Sequence, residues 1–175
     1  MTEDAPRPET LADLYAIAYQ IEADAVELYR LLADQMESHN RPELVTLFRD
    51  LERAEGIHRD DIARRAADPG IEARAREVAR WRTTQSPEGA DLAAVHYQMS
   101  AHEALTLALA GEERALQFFE RLKSEGADPE IRRFAAELAE EEAEHVALCH
   151  RLLQRYPAPD DATDRYDPDP PVQQE

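Results

Sequence analysis

Two Glu-x-x-His steps are the residues of this chain best suited to chemistry. Glu55 is followed three residues later by His58, and Glu142 is followed in the same way by His145. Residues three apart on a helix point about 60° apart, because each residue turns the helix by about 100°. Both side chains of a step can therefore reach the same point, and carboxylate with imidazole suits Fe, Mn or Zn. The two steps predict a two-metal site between two helices.

The two halves of the chain repeat, and each half has one further glutamate before its Glu-x-x-His step. The pattern Glu-(x)2-Ala-(x)3-Tyr/Phe begins at Glu22 and again at Glu112, 90 residues later, and the Glu-x-x-His step recurs after 87 residues. Because a short motif also occurs by chance, the register between the two halves carries more weight than either step alone. The repeat predicts a pseudo-two-fold arrangement in which the two Glu-x-x-His helices face each other.

Apolar residues at helical spacing predict two helices in the first half. The first is expected to begin after Thr10, whose hydroxyl can cap a helix N-terminus. The second is expected to begin at Pro42, which suits a first helical turn, and to end at the Asp-Pro-Gly sequence of residues 68–70. Glu22 and Glu55 lie among the apolar residues on one face of these two predicted helices, which distinguishes them from ordinary solvated glutamates.

The second half is predicted to hold two further helices behind a long connector. Residues 71–90 form a charged connector, with room for a helix through Val78 and Trp81, that could run the length of a bundle. The third helix is expected over about residues 91–124, and the fourth is expected to follow the Gly-Ala-Asp-Pro sequence of residues 126–129. The predicted fold is all-α, a four-helix bundle with one long crossover connection between the second and third helices.

Composition divides the chain into one folded domain with polar ends. Residues 1–9 are polar and contain proline, and they are expected to be a flexible N-terminus. Residues 10–156 carry the helical pattern, and their predicted metal-binding bundle is the single domain. Residues 157–175 are rich in aspartate and proline, which predicts a disordered tail.

Charge and composition argue against several classes of protein. A net charge of −18 would repel the phosphates of nucleic acid. No run of 18 apolar residues is present, so a membrane span is not expected. The first residues lack the basic start and apolar stretch of a secretory signal, so a cytoplasmic location is expected. Cys149 is the single cysteine, which excludes a disulfide within this sequence and predicts a small buried core residue.

The predicted ligand set contains four carboxylates and two imidazoles. Four ionised carboxylates inside a core would be too costly to keep unpaired. Two divalent cations balance their charge, and neutral imidazoles complete the shell. One Glu from each of two helices, with a Glu-x-x-His step from each of the other two, is the ligand set of ferritin-like di-iron or di-manganese bundles. The six predicted ligands are Glu22, Glu55, His58, Glu112, Glu142 and His145.

On these motifs the chain resembles the rubrerythrins and the wider ferritin-like superfamily over about residues 10–153. The resemblance implies two iron ions as cofactor, with Mn or Zn as alternatives. Its implied ligand roles pair the two halves: Glu55 and Glu142 bridge the metals, His58 and His145 bind one metal each, and Glu22 and Glu112 are terminal carboxylates.

The same resemblance implies a role for Tyr29 and a set of partners. Tyr29 is similar to the tyrosine that hydrogen-bonds a ligand carboxylate in such sites. The implied oxidants are O2 and peroxide, and the electrons would come from an external donor or from Fe(II) itself. A homodimer is also expected from the resemblance.

This sequence departs from the rubrerythrins at three points. It contains no Cys-x-x-Cys pair, so the rubredoxin-type iron module and its built-in electron donor are absent from it. Ala115 stands where the third-helix motif, Gly111-Glu112 in this chain, has a further glutamate in the family. Phe119 stands where a second tyrosine would correspond to Tyr29. A more symmetric six-ligand site remains.

Other titratable residues near the motifs have plainer interpretations. Glu141 could replace Glu142 as the partner of the second histidine, but only Glu142 keeps the spacing of the first half. His96, His102 and His150 lie off the predicted site stripe and are interpreted as structural or solvent-facing.

The sequence therefore predicts a non-haem di-iron redox protein that oxidises Fe(II) or reduces O2 or peroxide. Two alternatives stay open on the same fold. One is non-catalytic metal binding, such as the carriage or buffering of iron or zinc. The other is an interaction scaffold whose site holds no metal. Turnover with bound metal distinguishes the first hypothesis from both alternatives.

Overall fold

The computed structural model of the chain describes residues 7–81 and 99–158, and over these ranges every regular element is a helix. The predicted all-α fold is confirmed. The five helices in chain order are α1 (Leu11–Ser38), α2 (Pro42–Ala66), α3 (Ile71–Trp81), α4 (Ala101–Glu125) and α5 (Pro129–Arg155). None of the described helices is both long enough and apolar enough to cross a membrane.

Local sequence determines where most helices begin. The side chain of Thr10 accepts a hydrogen bond from the backbone N–H of Asp13, and the Asp13 carboxylate accepts one from the Thr10 N–H at 2.9 Å. This reciprocal capping satisfies two backbone donors that the first turn of α1 leaves unpaired. Pro42 and Pro129 occupy the first turns of α2 and α5, where a missing N–H costs nothing. The predicted starts of α1 and α2 are confirmed, and α5 begins at Pro129 itself, the last residue of the predicted break.

The third bundle helix begins later than the sequence pattern suggested. Met99 and Ser100 precede α4, so the expected helix over about residues 91–124 is wrong at these two positions, and residues 91–98 lie outside the described ranges. Ser100 caps the helix reciprocally with Glu103, which fixes the first helical residue at Ala101. A Ser-x-x-Glu sequence marked this start. The helix expected in the connector is confirmed as α3.

The helices pack as two antiparallel pairs, α1 with α2 and α4 with α5, while α3 in the connector packs against α1. The apolar core forms two clusters, one on each side of a polar layer. In each of the four bundle helices, one buried glutamate separates the residues of the first cluster from those of the second. These four glutamates are Glu22, Glu55, Glu112 and Glu142.

The predicted polar ends fall mostly outside the described residues. Residues 1–6 and 159–175 are not described, so the flexible start and the disordered tail stay predictions. The last helix ends at Arg155, close to the predicted domain limit at residue 156.

Candidate metal centre

Four buried glutamates form the polar layer between the two core clusters. Their exposed fractions lie between 1% and 4%, and they are the buried charged residues of the part of the chain that the structure describes. Glutamate is almost never fully buried unless it is paired. The interpretation of these residues as ordinary acidic helix positions is therefore excluded for Glu22, Glu55, Glu112 and Glu142.

The two histidines of the Glu-x-x-His steps meet across the bundle. The rings of His58 and His145 lie nearly parallel, 5° apart, with their centroids separated by 5.2 Å. Their side chains are 29% and 14% exposed, so this edge of the polar layer is the one closest to solvent. The stacked rings bring α2 and α5 face to face, as the repeat predicts.

His145 lies at the centre of the carboxylates. Its Nδ1 atom is 3.4 Å from Glu55 Oε1, 3.4 Å from Glu112 Oε2 and 3.8 Å from Glu142 Oε2. The Nδ1 atom of His58 is 3.6 Å from Glu55 Oε2. Side chains from both halves of the repeat therefore converge on one small volume.

These residues offer ligand atoms in two overlapping groups. The first group is Glu55, His58 and His145, and the second is Glu112, Glu142 and His145; within each group the ligand atoms lie within 4.8 Å of one another. His145 belongs to both groups, whereas the resemblance implies that each histidine binds a different metal. Among the described residues, Glu22 is buried in the same layer but belongs to neither group.

The hydrogen bonding of the cluster tests whether metal ions fit it. Glu55 Oε1, His58 Nδ1 and His145 Nδ1 are buried atoms without a hydrogen-bond partner. Each buried polar atom left unsatisfied costs about 1–3 kcal/mol, so three in one place need an explanation. A carboxylate oxygen and two imidazole nitrogens are atoms that donate electron pairs to transition metals. The donor set fits two cations.

The side chain of Tyr29, which belongs to α1, contacts one of these candidate ligands. Its hydroxyl donates a hydrogen bond to Glu112 Oε1, and the side chain is buried. The ring stacks on Phe48 of α2, with the centroids 6.2 Å apart. The resemblance indicated that Tyr29 would meet a carboxylate, but the sequence did not indicate which one. The sequence motifs did not indicate this contact with Phe48.

Burial and mutual charge shift the pKa values in the metal-free cluster. Burial opposes the charged form of His145, but the carboxylates of Glu112 and Glu142 outweigh it and raise its pKa to about 12. His145 Nδ1 lies 3.4 Å from Glu112 Oε2 and 3.8 Å from Glu142 Oε2, which is beyond good hydrogen-bond distances. The attraction between the imidazolium and the two carboxylates is therefore mainly one of charge. Burial raises the pKa of Glu142 to about 8. Burial also raises the pKa of Tyr29 well above its usual value, so its hydroxyl stays a donor.

Without metal, the protein is predicted to lose stability as the pH rises above 4.5. The raised pKa of Glu142 favours the folded state below pH 4.5, and this contribution is lost as the pH rises through about 8. His145 acts in the same direction above pH 6.5, because its pKa is raised to about 12. Thermal melting of chelator-treated protein should therefore give a higher Tm near pH 5 than near pH 8.

The control for this pH dependence is Glu142→Gln, which cannot titrate and should show a smaller fall in Tm. A Tm that rises over the same range in chelator-treated protein would contradict the electrostatic account.

His102 and His150 have partners outside the cluster. His102 Nδ1 is 3.0 Å from the carbonyl oxygen of Tyr156, and His150 is exposed, with Nε2 3.9 Å from a Glu113 oxygen. Glu141 is exposed while Glu142 is buried, in keeping with the spacing argument. Cys149 is buried as predicted, and His96 lies outside the described residues.

The all-helical bundle and its inward carboxylates and imidazoles define a ferritin-like metal-binding protein. The chain belongs to the rubrerythrin family, whose sequence model, described as Rubrerythrin, matches residues 13–153. The chain is also similar to an uncharacterized conserved protein from Magnetospirillum magnetotacticum MS-1, known from a crystal structure. The two are 32% identical with a TM-score of 0.70, and the match covers 87% of this chain and 99% of that one. No curated protein matches the chain.

Proposed function

We propose that this protein is a non-haem di-iron redox protein that oxidises Fe(II) or reduces O2 or peroxide. The observation that carries the proposal is the position of His145 Nδ1, which lies 3.4 Å from carboxylates of both halves and has no hydrogen-bond partner. Buried atoms arranged in this way are suited to sharing cations. Membership of the rubrerythrin family supports a two-metal site of this kind.

The proposed ligand roles follow the repeat. Glu55 and Glu142 would bridge two iron ions, with Mn or Zn as alternative metals. Each half supplies one further carboxylate and one imidazole. We name the residues Glu22, Glu55 and His58 the first-half position, and the residues Glu112, Glu142 and His145 the second-half position. The convergence of the second-half ligand atoms within 4.8 Å supports this assignment.

The residues of the chain prepare the site for redox chemistry in three ways. When bound, two iron ions supply the two electrons that peroxide takes up, together with two protons, to give two molecules of water. The core clusters on both sides keep bulk water from the carboxylates. The hydroxyl of Tyr29 holds Glu112 in one orientation. The partly exposed ring of His58 lies on the side from which a small oxidant can approach.

The proposal is tested by following iron oxidation in protein loaded with two equivalents of Fe(II) under anaerobic conditions. Addition of peroxide or O2 should produce the near-ultraviolet absorption of Fe(III) faster than the same Fe(II) in buffer. Excess Fe(II) or a chemical reductant should sustain several turnovers. Glu55→Ala should abolish the acceleration, whereas Glu144→Ala, which changes an exposed glutamate of α5, should retain it.

The alternative function is metal carriage or buffering without turnover. Tight binding of two ions with an oxidation rate equal to that of free Fe(II) would favour this alternative and contradict the redox proposal. Protein that binds no metal would favour the interaction scaffold instead.

We also propose a cytoplasmic homodimer that receives electrons from Fe(II) or an external donor. The resemblance to rubrerythrins supports the dimer, and the charge of −18 supports a protein that does not bind nucleic acid. Light scattering during size-exclusion chromatography tests the dimer, because a monomer would elute at about half the mass.

A further inference from the structure

The rings of His58 and His145 meet in a seam between α2 and α5, two helices that belong to different helix pairs. A second contact crosses the seam two turns away, where Arg65 of α2 forms an ion pair with Glu137 of α5. Between these two contacts the residue numbers rise along α2 and fall along α5, so the two helices run antiparallel. We call this boundary the α2–α5 seam, and it consists of residues 54–65 and 137–148.

One end of the α2–α5 seam is acidic. Asp61 lies three residues after His58, and Glu141 lies four residues before His145. Residues three or four apart are neighbours on a helix surface, so each carboxylate lies next to one histidine. The charge of Glu141 also acts on His58 across the seam and on Asp61. Because Glu141 is exposed and His58 is partly exposed, this end leads from solvent to the metal centre.

The opposite end of the α2–α5 seam is apolar. Ala54 and Leu148 lie one turn from the two histidines on that side, and both are half-buried. Leu148 packs against the second core cluster. The repeat offset of 87 residues makes Ala54 the counterpart of Glu141, and it makes Asp61 the counterpart of Leu148. The repeat alone would give the seam two equivalent ends, but the residues at these positions make the ends chemically different.

The two ends differ in what they offer a divalent cation that arrives from water. A cation that crosses an apolar surface loses water ligands without replacement, which is costly. Carboxylate oxygens can replace those waters, and a cleft lined by one sign of charge raises the local concentration of the opposite ion. Asp61 is already bonded to Arg64, at 2.7 Å. Among the described residues none forms an ion pair with Glu141, so its carboxylate is the one at this end that can receive a cation.

We propose that divalent cations enter the metal centre at the acidic end of the α2–α5 seam, and that Glu141 passes them from solvent to the two histidines. The proposal rests on the two-metal site of the proposed function. Glu141 is not one of the six proposed ligands and holds the cation only during its passage. A residue that lowers the barrier to passage accelerates entry and release alike. A charge that only attracts bound cations accelerates entry but slows release.

The proposal is tested by the rates at which Co(II) enters and leaves the protein. Stopped-flow visible absorption follows uptake by metal-free protein, and mixing of the loaded protein with excess chelator follows release. Glu141→Gln keeps the size of the side chain and removes its charge. We expect this variant to slow both uptake and release by about tenfold while it still binds two ions per chain.

Two control variants make the same change of one charge unit elsewhere. Glu144→Gln alters an exposed glutamate of α5 outside the acidic end. Ala54→Lys introduces a cation at the repeat counterpart of Glu141, in the apolar end of the seam. Both controls should retain the wild-type rates. Circular dichroism checks that each variant keeps its helices, and the comparison of Glu141→Gln with Glu144→Gln is sufficient if Ala54→Lys does not fold.

The outcomes separate this proposal from the proposed function. Unchanged rates in Glu141→Gln, or slower uptake with faster release, would overturn the entry role and leave the two-metal site standing. A larger loss of rate in Ala54→Lys than in Glu141→Gln would place the entrance at the apolar end and overturn it as well. If wild-type protein bound no Co(II), the two-metal site itself would be absent, and the proposed function would fall with the entry role.

Discussion

Replacement of Glu142 by alanine is expected to reduce the metal content from two ions per chain to at most one. Its carboxylate is buried in the polar layer, and Glu142 is one of two proposed bridges between the metals. Removal of a bridging carboxylate takes a ligand from both ions at once. The remaining imidazoles and carboxylates can then hold at most one cation. Elemental analysis of protein saturated with Fe(II), Mn(II) or Zn(II) and then desalted measures the effect.

Two control variants make this result specific. Glu144→Ala removes an exposed glutamate of the same helix, and His102→Ala removes a histidine that contacts a backbone carbonyl away from the cluster. Both variants should keep two ions per chain. If His102→Ala lost metal while Glu142→Ala retained both ions, the ligand assignment would be wrong.

Removal of metal is expected to lower the Tm by roughly 10–20 °C. A ligand that binds only the folded state stabilises it by about 2.7 kcal/mol at a free concentration of 100 times Kd, so two sites contribute about 5 kcal/mol. For a chain of this size, 1 kcal/mol shifts the Tm by about 2–4 °C. Bound metal stabilises the folded state because its positive charge offsets the repulsion between the buried carboxylates. Differential scanning calorimetry with and without a chelator measures the shift.

The control for the stability experiment is Glu142→Ala, in which chelation should produce a much smaller shift because fewer ions are lost. Equal melting temperatures for metal-loaded and chelated wild-type protein would contradict the account, since they would mean that the metal contributes nothing to the folded state.

Much of the architecture could be predicted because its causes are local. The cap at Thr10 and the first-turn proline at Pro42 each act within a few residues of the helix start that they determine. The repeat placed Glu22 and Glu112 in equivalent positions on apolar stripes, and burial of both follows from helical periodicity alone.

Other features could not be predicted because they depend on contacts between distant parts of the chain. Helical periodicity determines which face of α5 carries His145. Whether this histidine reaches one ligand group or both depends on how α5 packs against α2, which periodicity does not determine. In the same way, the pairing of Tyr29 with Glu112 joins residues 83 positions apart. The start of α4, in contrast, has a local cause, because Ser100 and Glu103 form a Ser-x-x-Glu capping sequence.

The most direct test of the central claim is a crystal structure of metal-loaded protein with anomalous scattering data collected at the metal absorption edge. The account predicts two anomalous peaks about 3.5–4 Å apart, lying in the layer of buried glutamates beside His58 and His145. A single peak on the protein surface, or the absence of a peak within that layer, would contradict it.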